Sequence, residues 1–228
     1  MFEFLLLDLD DTILDFQKAE AIAIRKTFRS FGIDPTDEVC QRYSVCNKLH
    51  WQMLERGELT REQVLTGRFA MLFRELGMEC DPTLCARTYE NFLSIGHYFL
   101  PGAEEALETL SKKYRLFLAS NGTAKVQAGR LASANISHYF EKIFISQEIG
   151  ADKPSKEYFD RCFARIPGFA WEKALMVGDS LTSDILGGRN AGIATCWVNP
   201  GHAARNPQIP ADYEIERLAD LVPLLESL

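Results

Sequence analysis

The sequence predicts an α/β protein in which a parallel sheet is flanked by helices and an all-helical segment is inserted after the first strand. Five short apolar runs are nearly continuous rather than alternating, which is typical of strands covered on both faces. Helix-length amphipathic stretches separate the last four runs, as in consecutive βαβ units. More than a hundred residues lie between the first run and the second, far more than one crossover helix requires.

The predicted strands follow from the apolar runs. They are Phe2–Leu7, Leu116–Ala119, Ile143–Ser146, Leu175–Val177 and Thr195–Val198, and Tyr213–Ile215 is a candidate for a short sixth strand. Helices are predicted at Ala103–Lys113, which leads into the second strand, and at Lys156–Arg165. These elements assign residues 1–15 and 97–228 to one α/β core domain.

The long segment between the first two strands has the apolar spacing of helices throughout. Four helices are predicted, at Ala19–Phe31, Asp37–Arg56, Thr60–Leu76 and Asp81–Ser94. The third begins with a capping box formed by Thr60 and Gln63. The fourth begins with Asp81 as N-cap and Pro82 at the first helical position. Residues 16–96 are therefore predicted to form a separate helical domain.

Composition excludes several classes of protein. Of the 228 residues, 46% are hydrophobic and 25% are charged, the balance of a globular protein rather than of a disordered or collagenous chain. A formal net charge of −7 argues against binding to a nucleic-acid polymer, which needs a basic face. No apolar run approaches the ~20 residues that span a bilayer, so no membrane association is expected.

The first residues and the cysteines predict a cytoplasmic protein. The opening run contains Glu3 and is followed by Asp8, so we interpret it as a buried strand rather than a signal peptide. The six cysteines form no C-x-x-C pair, and we expect them to be reduced and mostly buried.

Acidic residues follow the first and fourth strands, at the edge where open parallel sheets bind ligands. Asp8 and Asp10 are two positions apart and point to the same side of an extended chain. Such close carboxylates repel each other, a divalent cation relieves the repulsion, and oxygen ligands favour Mg²⁺. Asp179 could complete this metal site, with Asp184 five residues further on. A solvated acidic turn is the alternative interpretation.

Polar and basic residues follow the second and third strands. Ser120 and Asn121 offer a hydroxyl, an amide and backbone N–H groups, a natural cradle for phosphate oxygens. Lys153 precedes Pro154 and is expected just ahead of a helix N-terminus, where two positive features meet an anion. Four successive strands thus end in residue types that phosphoryl transfer needs, and the lysine would attract an anionic substrate to an acidic protein.

In this order these residues resemble the haloacid dehalogenase (HAD) superfamily. The motifs are Asp8-x-Asp10-x-Thr12, Ser120, Lys153 and Gly178-Asp179-x₄-Asp184. The resemblance implies a Rossmann-like core, and residues 16–96 resemble the type-1 helical cap of that superfamily. Dehalogenases resemble the pattern without the second aspartate. A phosphatase needs an acid to protonate the leaving alkoxide, so Asp10 favours phosphate chemistry.

A closer resemblance connects three segments with the YjjG-like pyrimidine 5′-nucleotidases. Two lie in the cap, at residues 47–51 and 65–69, and the third covers residues 183–198. This resemblance implies a house-cleaning phosphatase that hydrolyses nucleoside 5′-monophosphates, often those of pyrimidines. The expected partner is therefore a small phosphate ester, whereas the choice between monomer and homodimer stays open.

The resemblance also implies the chemistry of the aspartates. Asp8 is expected to attack phosphorus and form an aspartyl-phosphate. Asp10 is expected to protonate the leaving oxygen and later to accept a proton from water. Mg²⁺ is expected between the Asp8 carboxylate, the Asp10 backbone carbonyl and Asp179.

The remaining motif residues are expected to hold the substrate. Lys153 is predicted to be catalytic and, with Ser120 and Asn121, to bind the transferring phosphate oxygens. Thr12 is predicted to be a substrate-binding residue. It is also expected to fix the loop that carries Asp8. Asp184 is expected to orient Lys153 or a metal-bound water without touching the substrate.

In the cap, Asn47, His50, Trp51 and Arg68 are candidates for reading the sugar or base. The cap is expected to close over the site and exclude water. Trp51 would provide a stacking surface, and packing inside the cap is the alternative for this residue.

Several related functions share the core motifs. A phosphatase of sugar phosphates or phosphoglycolate has the same core residues and differs only in its cap. A β-phosphoglucomutase-like mutase, a haloacid dehalogenase and a non-catalytic binding protein of this fold are further alternatives. Phosphate release from a panel of phosphate esters distinguishes among them.

Overall fold

The computed structural model describes residues 1–228 and confirms the predicted fold class. The chain divides into two compact units. The core unit, Met1–Phe16 with His97–Leu228, contains the whole sheet. The helical unit, Gln17–Gly96, contains no strand.

Six parallel strands form one sheet in the core unit. In chain order they are β1 (Phe4–Leu7), β2 (Arg115–Ser120), β3 (Lys142–Ile145), β4 (Ala174–Gly178), β5 (Ala194–Val198) and β6 (Tyr213–Ile215). In space their order is β3-β2-β1-β4-β5-β6. The candidate sixth strand is present with its predicted bounds, and the other strands differ from their predictions by at most two residues at either end.

β1 lies where the order of the strands reverses. The chain passes from β1 through β2 to β3 and then crosses back to β4, on the other side of β1. Leu7, the last residue of β1, is paired with Leu118 of β2 and with Val177 of β4. Open α/β sheets bind ligands at such a switch point, outside the carboxyl ends of the strands. The topology therefore brings together the residues that follow β1, β2 and β4.

Both faces of the sheet are covered, which explains the continuous apolar runs. Leu5 and Leu7 of β1 belong to one hydrophobic cluster, whereas Phe4 and Leu6 belong to another. All four residues are fully buried. Successive side chains of a strand point to opposite faces, so a strand buried on both sides is apolar at every position. Burial of each such side chain stabilises the fold by about 1.5–3 kcal/mol.

Four helices are found in the inserted segment: α1 (Phe16–Ser30), α2 (Asp37–Glu55), α3 (Arg61–Leu76) and α4 (Pro82–Leu93). The predicted capping box is formed, since Gln63 N–H donates to Thr60 Oγ1 and Thr60 N–H donates to Gln63 Oε1. Asp81 caps α4 by accepting from the first backbone N–H groups of that helix. The interior is aromatic, and the ring centroid of Tyr43 lies 4.9 Å from that of Phe69.

The helices of the core unit connect the strands. They are α5 (Ala103–Ser111), α6 (Ala124–Ala134), α7 (Ser146–Ile149), α8 (Lys156–Phe163), α9 (Leu186–Ala191) and α10 (Leu221–Glu226). A π-helical turn, Leu181–Ile185, lies between β4 and α9. None of the helices is both long enough and apolar enough to cross a membrane.

Candidate active site

Lys153 lies at the centre of the candidate site and binds three oxygen atoms. Its Nζ donates to Asp8 Oδ1 at 2.7 Å, to Asp184 Oδ1 at 2.6 Å and to the carbonyl of Ala119 at 2.6 Å. Asp8 follows β1, Asp184 follows β4, and Ala119 belongs to β2. The residue is only 1% exposed, so the protein itself satisfies all three donors of the ammonium group.

The backbone of Lys153 is held by Asn121, which follows β2. Asn121 Nδ2 donates to the carbonyl of Lys153, and Asn121 Oδ1 accepts from the N–H of Lys153, both at 2.9 Å. This reciprocal pair fixes the loop between α7 and α8. Asn121 thus positions the lysine in this structure, and its contact with a substrate phosphate stays a prediction.

Three carboxylates face one another beside the lysine. Asp8, Asp179 and Asp184 each place an oxygen within 4.8 Å of the other two. The N–H of Ser180 donates to Asp184 Oδ2 at 3.0 Å and fixes that carboxylate. Gly178 leaves the necessary space, because a Cβ at this position would lie 2.2 Å from Asp184 Oδ2.

Asp8 and Asp179 are held in an environment that disfavours the charge of their carboxylates. The pKa of Asp8 is raised to about 7, chiefly because the side chain is buried. The charge of Lys153 lowers that pKa, whereas the charges of Asp184 and Asp10 raise it. Burial, with the charges of Asp184 and Asp8, also raises the pKa of Asp179 well above its ordinary value. For Lys153, burial alone lowers the pKa, but its carboxylate partners outweigh burial and the net shift is upward.

These oxygen atoms fit a hard divalent cation. Asp8, Asp179 and Asp184 offer carboxylate oxygens that lie close together, and such oxygens suit Mg²⁺. The expected contribution of the Asp10 backbone carbonyl stays a prediction. One ammonium group faces three carboxylates, so negative charge is in excess. A bound cation would relieve that excess.

Asp10 is anchored by two residues that the sequence analysis did not identify. Gln127 Nε2 donates to Asp10 Oδ2 at 2.7 Å, and Arg130 Nη1 donates to Asp10 Oδ1. Both residues lie on α6, three positions apart and therefore on one face of the helix. A polar pair on the buried face of the helix after Ser120 is the sequence signal that could have indicated them.

Thr12 lies in the loop after β1, and Ser120 is the last residue of β2. Thr12 is fully buried, and its hydroxyl has no hydrogen-bond partner within the protein. Ser120 Oγ accepts from Gln127 Nε2 at 2.8 Å and from the N–H of Gly122 at 3.1 Å. Both polar side chains thus lie at the carboxyl end of the sheet. The predicted contacts of Thr12 and Ser120 with a substrate stay predictions.

Within the helical unit, Asn47 bridges two buried charges. Its Nδ2 donates to Glu20 Oε1 at 2.6 Å, and its Oδ1 accepts from Arg68 Nη1 at 2.7 Å. His50 is also buried and its Nδ1 lies 2.8 Å from the carbonyl of Cys46. Asn47, His50 and Arg68 therefore take part in the internal packing of this unit.

Trp51 lies on the same helix but is partly exposed. The guanidinium carbon of Arg61 lies 5.6 Å from the centroid of its ring. A cation already stacks on this indole, so the predicted stacking of a nucleobase on Trp51 stays a prediction.

Replacing Asn47 by leucine is expected to lower the free energy of unfolding by roughly 2–3 kcal/mol, because two buried charges each lose a hydrogen bond. Chemical denaturation monitored by circular dichroism measures this loss. Asn91→Leu on the exposed face of α4 is the matched control and should change stability by less than about 0.5 kcal/mol. A normal stability of Asn47→Leu with a raised KM would instead assign Asn47 to substrate recognition.

The fold and the site together define a class of protein: a hydrolase with paired aspartates after β1, a serine at the end of β2, a buried lysine and further aspartates after β4. Residues 5–198 match the family model of the haloacid dehalogenase-like hydrolases, and the chain belongs to that family.

Three relatives are similar over nearly their whole length. YfnB of Bacillus subtilis is 41% identical, with 97% of this chain and 94% of YfnB covered. The pyrimidine 5′-nucleotidase PynA of Streptococcus pneumoniae is 37% identical over 99% of this chain and 96% of PynA. The pyrimidine 5′-nucleotidase YjjG of Escherichia coli is 30% identical over 98% of this chain and 97% of YjjG. The magnesium-bound crystal structure of YfnB superposes with a TM-score of 0.94, covering 98% of each chain.

Proposed function

We propose that this hydrolase is a Mg²⁺-dependent phosphomonoesterase that hydrolyses nucleoside 5′-monophosphates, those of pyrimidines foremost, through an aspartyl-phosphate on Asp8. The observation that carries the proposal is the buried Lys153 bound to both Asp8 and Asp184. This arrangement supports the proposal, because Asp8 as nucleophile and Lys153 as the cation that neutralises phosphate would act side by side at the switch point of the sheet. The names of PynA and YjjG support the substrate class.

In the first step Asp8 attacks phosphorus, and the bond from phosphorus to the ester oxygen breaks. The proton of the Asp10 carboxyl group passes to that oxygen, so the nucleoside leaves as an alcohol. The ammonium group of Lys153 neutralises the negative charge of the transferring phosphoryl group. A bound Mg²⁺, held by Asp8, Asp179 and the Asp10 carbonyl, would supply further positive charge that screens the carboxylate from the phosphate dianion.

In the second step water replaces Asp8 on phosphorus. Asp10 is now a carboxylate, and it accepts the proton of the attacking water. Inorganic phosphate leaves and Asp8 is regenerated. The same two aspartates thus serve both steps, one as nucleophile and leaving group and the other as acid and then base.

A panel of phosphate esters tests this proposal. Phosphate release should be fastest, as kcat/KM, with uridine, cytidine and thymidine 5′-monophosphates, and slower with purine nucleotides, sugar phosphates and phosphoglycolate. A higher kcat/KM on a sugar phosphate or on phosphoglycolate would replace the nucleotidase assignment by the corresponding phosphatase. Transfer of the phosphoryl group to the product instead of water would indicate a mutase.

Removal of divalent cations is expected to abolish the same activity. Excess EDTA should lower phosphate release to the blank, and added Mg²⁺ should restore it. Activity that persists in EDTA after extensive dialysis would contradict the metal requirement. This measurement does not address the role of Asp8 as nucleophile. Adding Ca²⁺ in place of Mg²⁺ is the control for ionic strength and charge, since Ca²⁺ takes more ligands at longer distances.

A further inference from the structure

Both oxygens of the Asp10 carboxyl group are held by side chains of α6. Gln127 Nε2 donates to Oδ2 at 2.7 Å, and Arg130 Nη1 donates to Oδ1. Gln127 is 1% exposed and Arg130 is 0% exposed, whereas the side chain of Asp10 keeps 27% of its surface. The carboxyl group is therefore accessible while the two residues that orient it are shielded from water.

Gln127 also connects Asp10 with the carboxyl end of β2. The same Nε2 atom donates to Ser120 Oγ at 2.8 Å. One amide nitrogen thus sets the spacing between the hydroxyl proposed to bind phosphate and the carboxyl group proposed to transfer the proton. The Gln127 side chain is tightly enclosed, since a Cβ on Gly122 would lie 2.3 Å from Nε2.

Arg130 is among the largest fully buried side chains of the protein. Its guanidinium carbon lies 5.7 Å from the centroid of the Phe16 ring, and its ion-pair partner is Asp10. A buried ion pair is weak evidence for stability, because the cost of removing both charges from water offsets their attraction. Stability alone therefore does not explain why a charged side chain is buried here, which favours a role for Arg130 at Asp10 itself.

We propose that Gln127 and Arg130 are positioning residues that aim the Asp10 carboxyl group at the leaving oxygen and so determine how well poor leaving groups are expelled. This inference rests on the proposed phosphatase function. As the bond between phosphorus and the ester oxygen breaks, its electron pair stays with that oxygen, which takes the proton from Asp10. The remaining carboxylate keeps its hydrogen bonds from Gln127 and Arg130. An oxygen that leaves easily as an anion needs no such proton.

The test compares phenyl phosphate with p-nitrophenyl phosphate, two substrates of similar shape whose leaving groups differ in the need for a proton. Gln127→Leu and Arg130→Met are expected to lower kcat/KM on phenyl phosphate by about 100-fold and on p-nitrophenyl phosphate by less than about threefold, because general acid catalysis contributes about 10²–10⁴-fold. The parameter kcat/KM covers the steps up to departure of the leaving group and leaves out the second step, in which Asp10 acts as a base. Arg130→Lys keeps the charge, so its activity on phenyl phosphate should be about tenfold higher than that of Arg130→Met.

The ratio of the two kcat/KM values separates an effect on the leaving group from an effect on folding. Both substrates are assayed on one preparation, so a reduced folded fraction cancels from the ratio. Gln147→Leu is the matched control, because Gln147 Oε1 accepts from the N–H of Ala124 at the start of α6 but has no contact with Asp10. This variant should keep the wild-type ratio.

The outcomes distinguish failure of the positioning role from failure of the proposed phosphatase function. Equal losses of kcat/KM on both substrates in Gln127→Leu and Arg130→Met would overturn the positioning role and leave the phosphatase function intact. A wild-type enzyme that hydrolyses neither substrate, nor any nucleotide of the panel, would overturn the proposed function and the inference with it. If Arg130→Met does not fold, the ratio measured for Gln127→Leu and Arg130→Lys decides.

Discussion

Replacing Asp8 by asparagine is expected to lower kcat on a nucleoside monophosphate by roughly 10⁴- to 10⁶-fold, the range for loss of an enzymatic nucleophile. Asparagine keeps an oxygen that accepts from Lys153, so the geometry around the lysine is preserved. An amide oxygen, however, is a poor nucleophile towards phosphorus and forms no stable acyl phosphate. The loss should therefore appear in kcat rather than in KM, and steady-state phosphate release measures both.

The same variant is expected to remain folded. Asp8 is buried near two like charges, and burial raises its pKa to about 7. A neutral amide removes that repulsion, so the free energy of unfolding should not fall. Asp160→Asn, the same chemical change at an exposed carboxylate on α8, is the control and should leave kcat unchanged.

Acid quenching during turnover gives an independent measurement on Asp8. The wild-type chain should gain the mass of one phosphoryl group, and the Asp8→Asn chain should not. Wild-type turnover in Asp8→Asn, or a phosphoryl group found on another residue of that variant, would show that the covalent mechanism through Asp8 is wrong.

Replacing Lys153 by methionine is expected to lower the free energy of unfolding by about 3–5 kcal/mol, because the carboxylates of Asp8 and Asp184 lose their buried partner. Activity should be lost as well, since no ammonium group then neutralises the phosphoryl oxygens. Urea denaturation and phosphate release provide the two measurements. Lys156→Met is the matched control, because Lys156 pairs with Asp160 at the exposed surface and such pairs contribute about 0–1 kcal/mol.

A double variant separates ion pairing from packing at this position. If the loss in Lys153→Met comes from unpaired carboxylates, the additional change Asp184→Asn should restore part of the stability. The coupling between two groups in one buried network is expected to be about 0.5–3 kcal/mol. Equal stabilities of Lys153→Met and the double variant would show that Asp184 does not depend on the lysine, contrary to the hydrogen bond of 2.6 Å between them.

Most of the fold could be predicted because its signals are local. Strand β1 is apolar at every position since both of its faces are buried, and that pattern is visible in four consecutive residues. The capping box of Thr60 and Gln63 spans three positions, so its two hydrogen bonds follow from adjacent sequence. The parallel sheet could be predicted for the same reason, as helix-length segments separate strand-length ones.

The candidate site could be predicted only in part. The residues after β1, β2 and β4 were indicated by their positions at strand ends, and Lys153 by its place ahead of α8. The sequence also assigned Asn121 to phosphate, which stays a prediction, but it did not indicate that the amide of Asn121 holds the backbone of Lys153. An asparagine in a turn satisfies either role, and spacing along the chain does not distinguish between them.

By itself the sequence determined the class of chemistry, because the residue types needed for phosphoryl transfer follow buried strands one after another. Only the tertiary structure decided which other side chains orient these residues. Gln127 is 117 positions from Asp10 along the chain, and no local pattern pairs the two. They meet because β1 and β2 are parallel neighbours, so the loop after β1 comes to lie against the helix that follows β2.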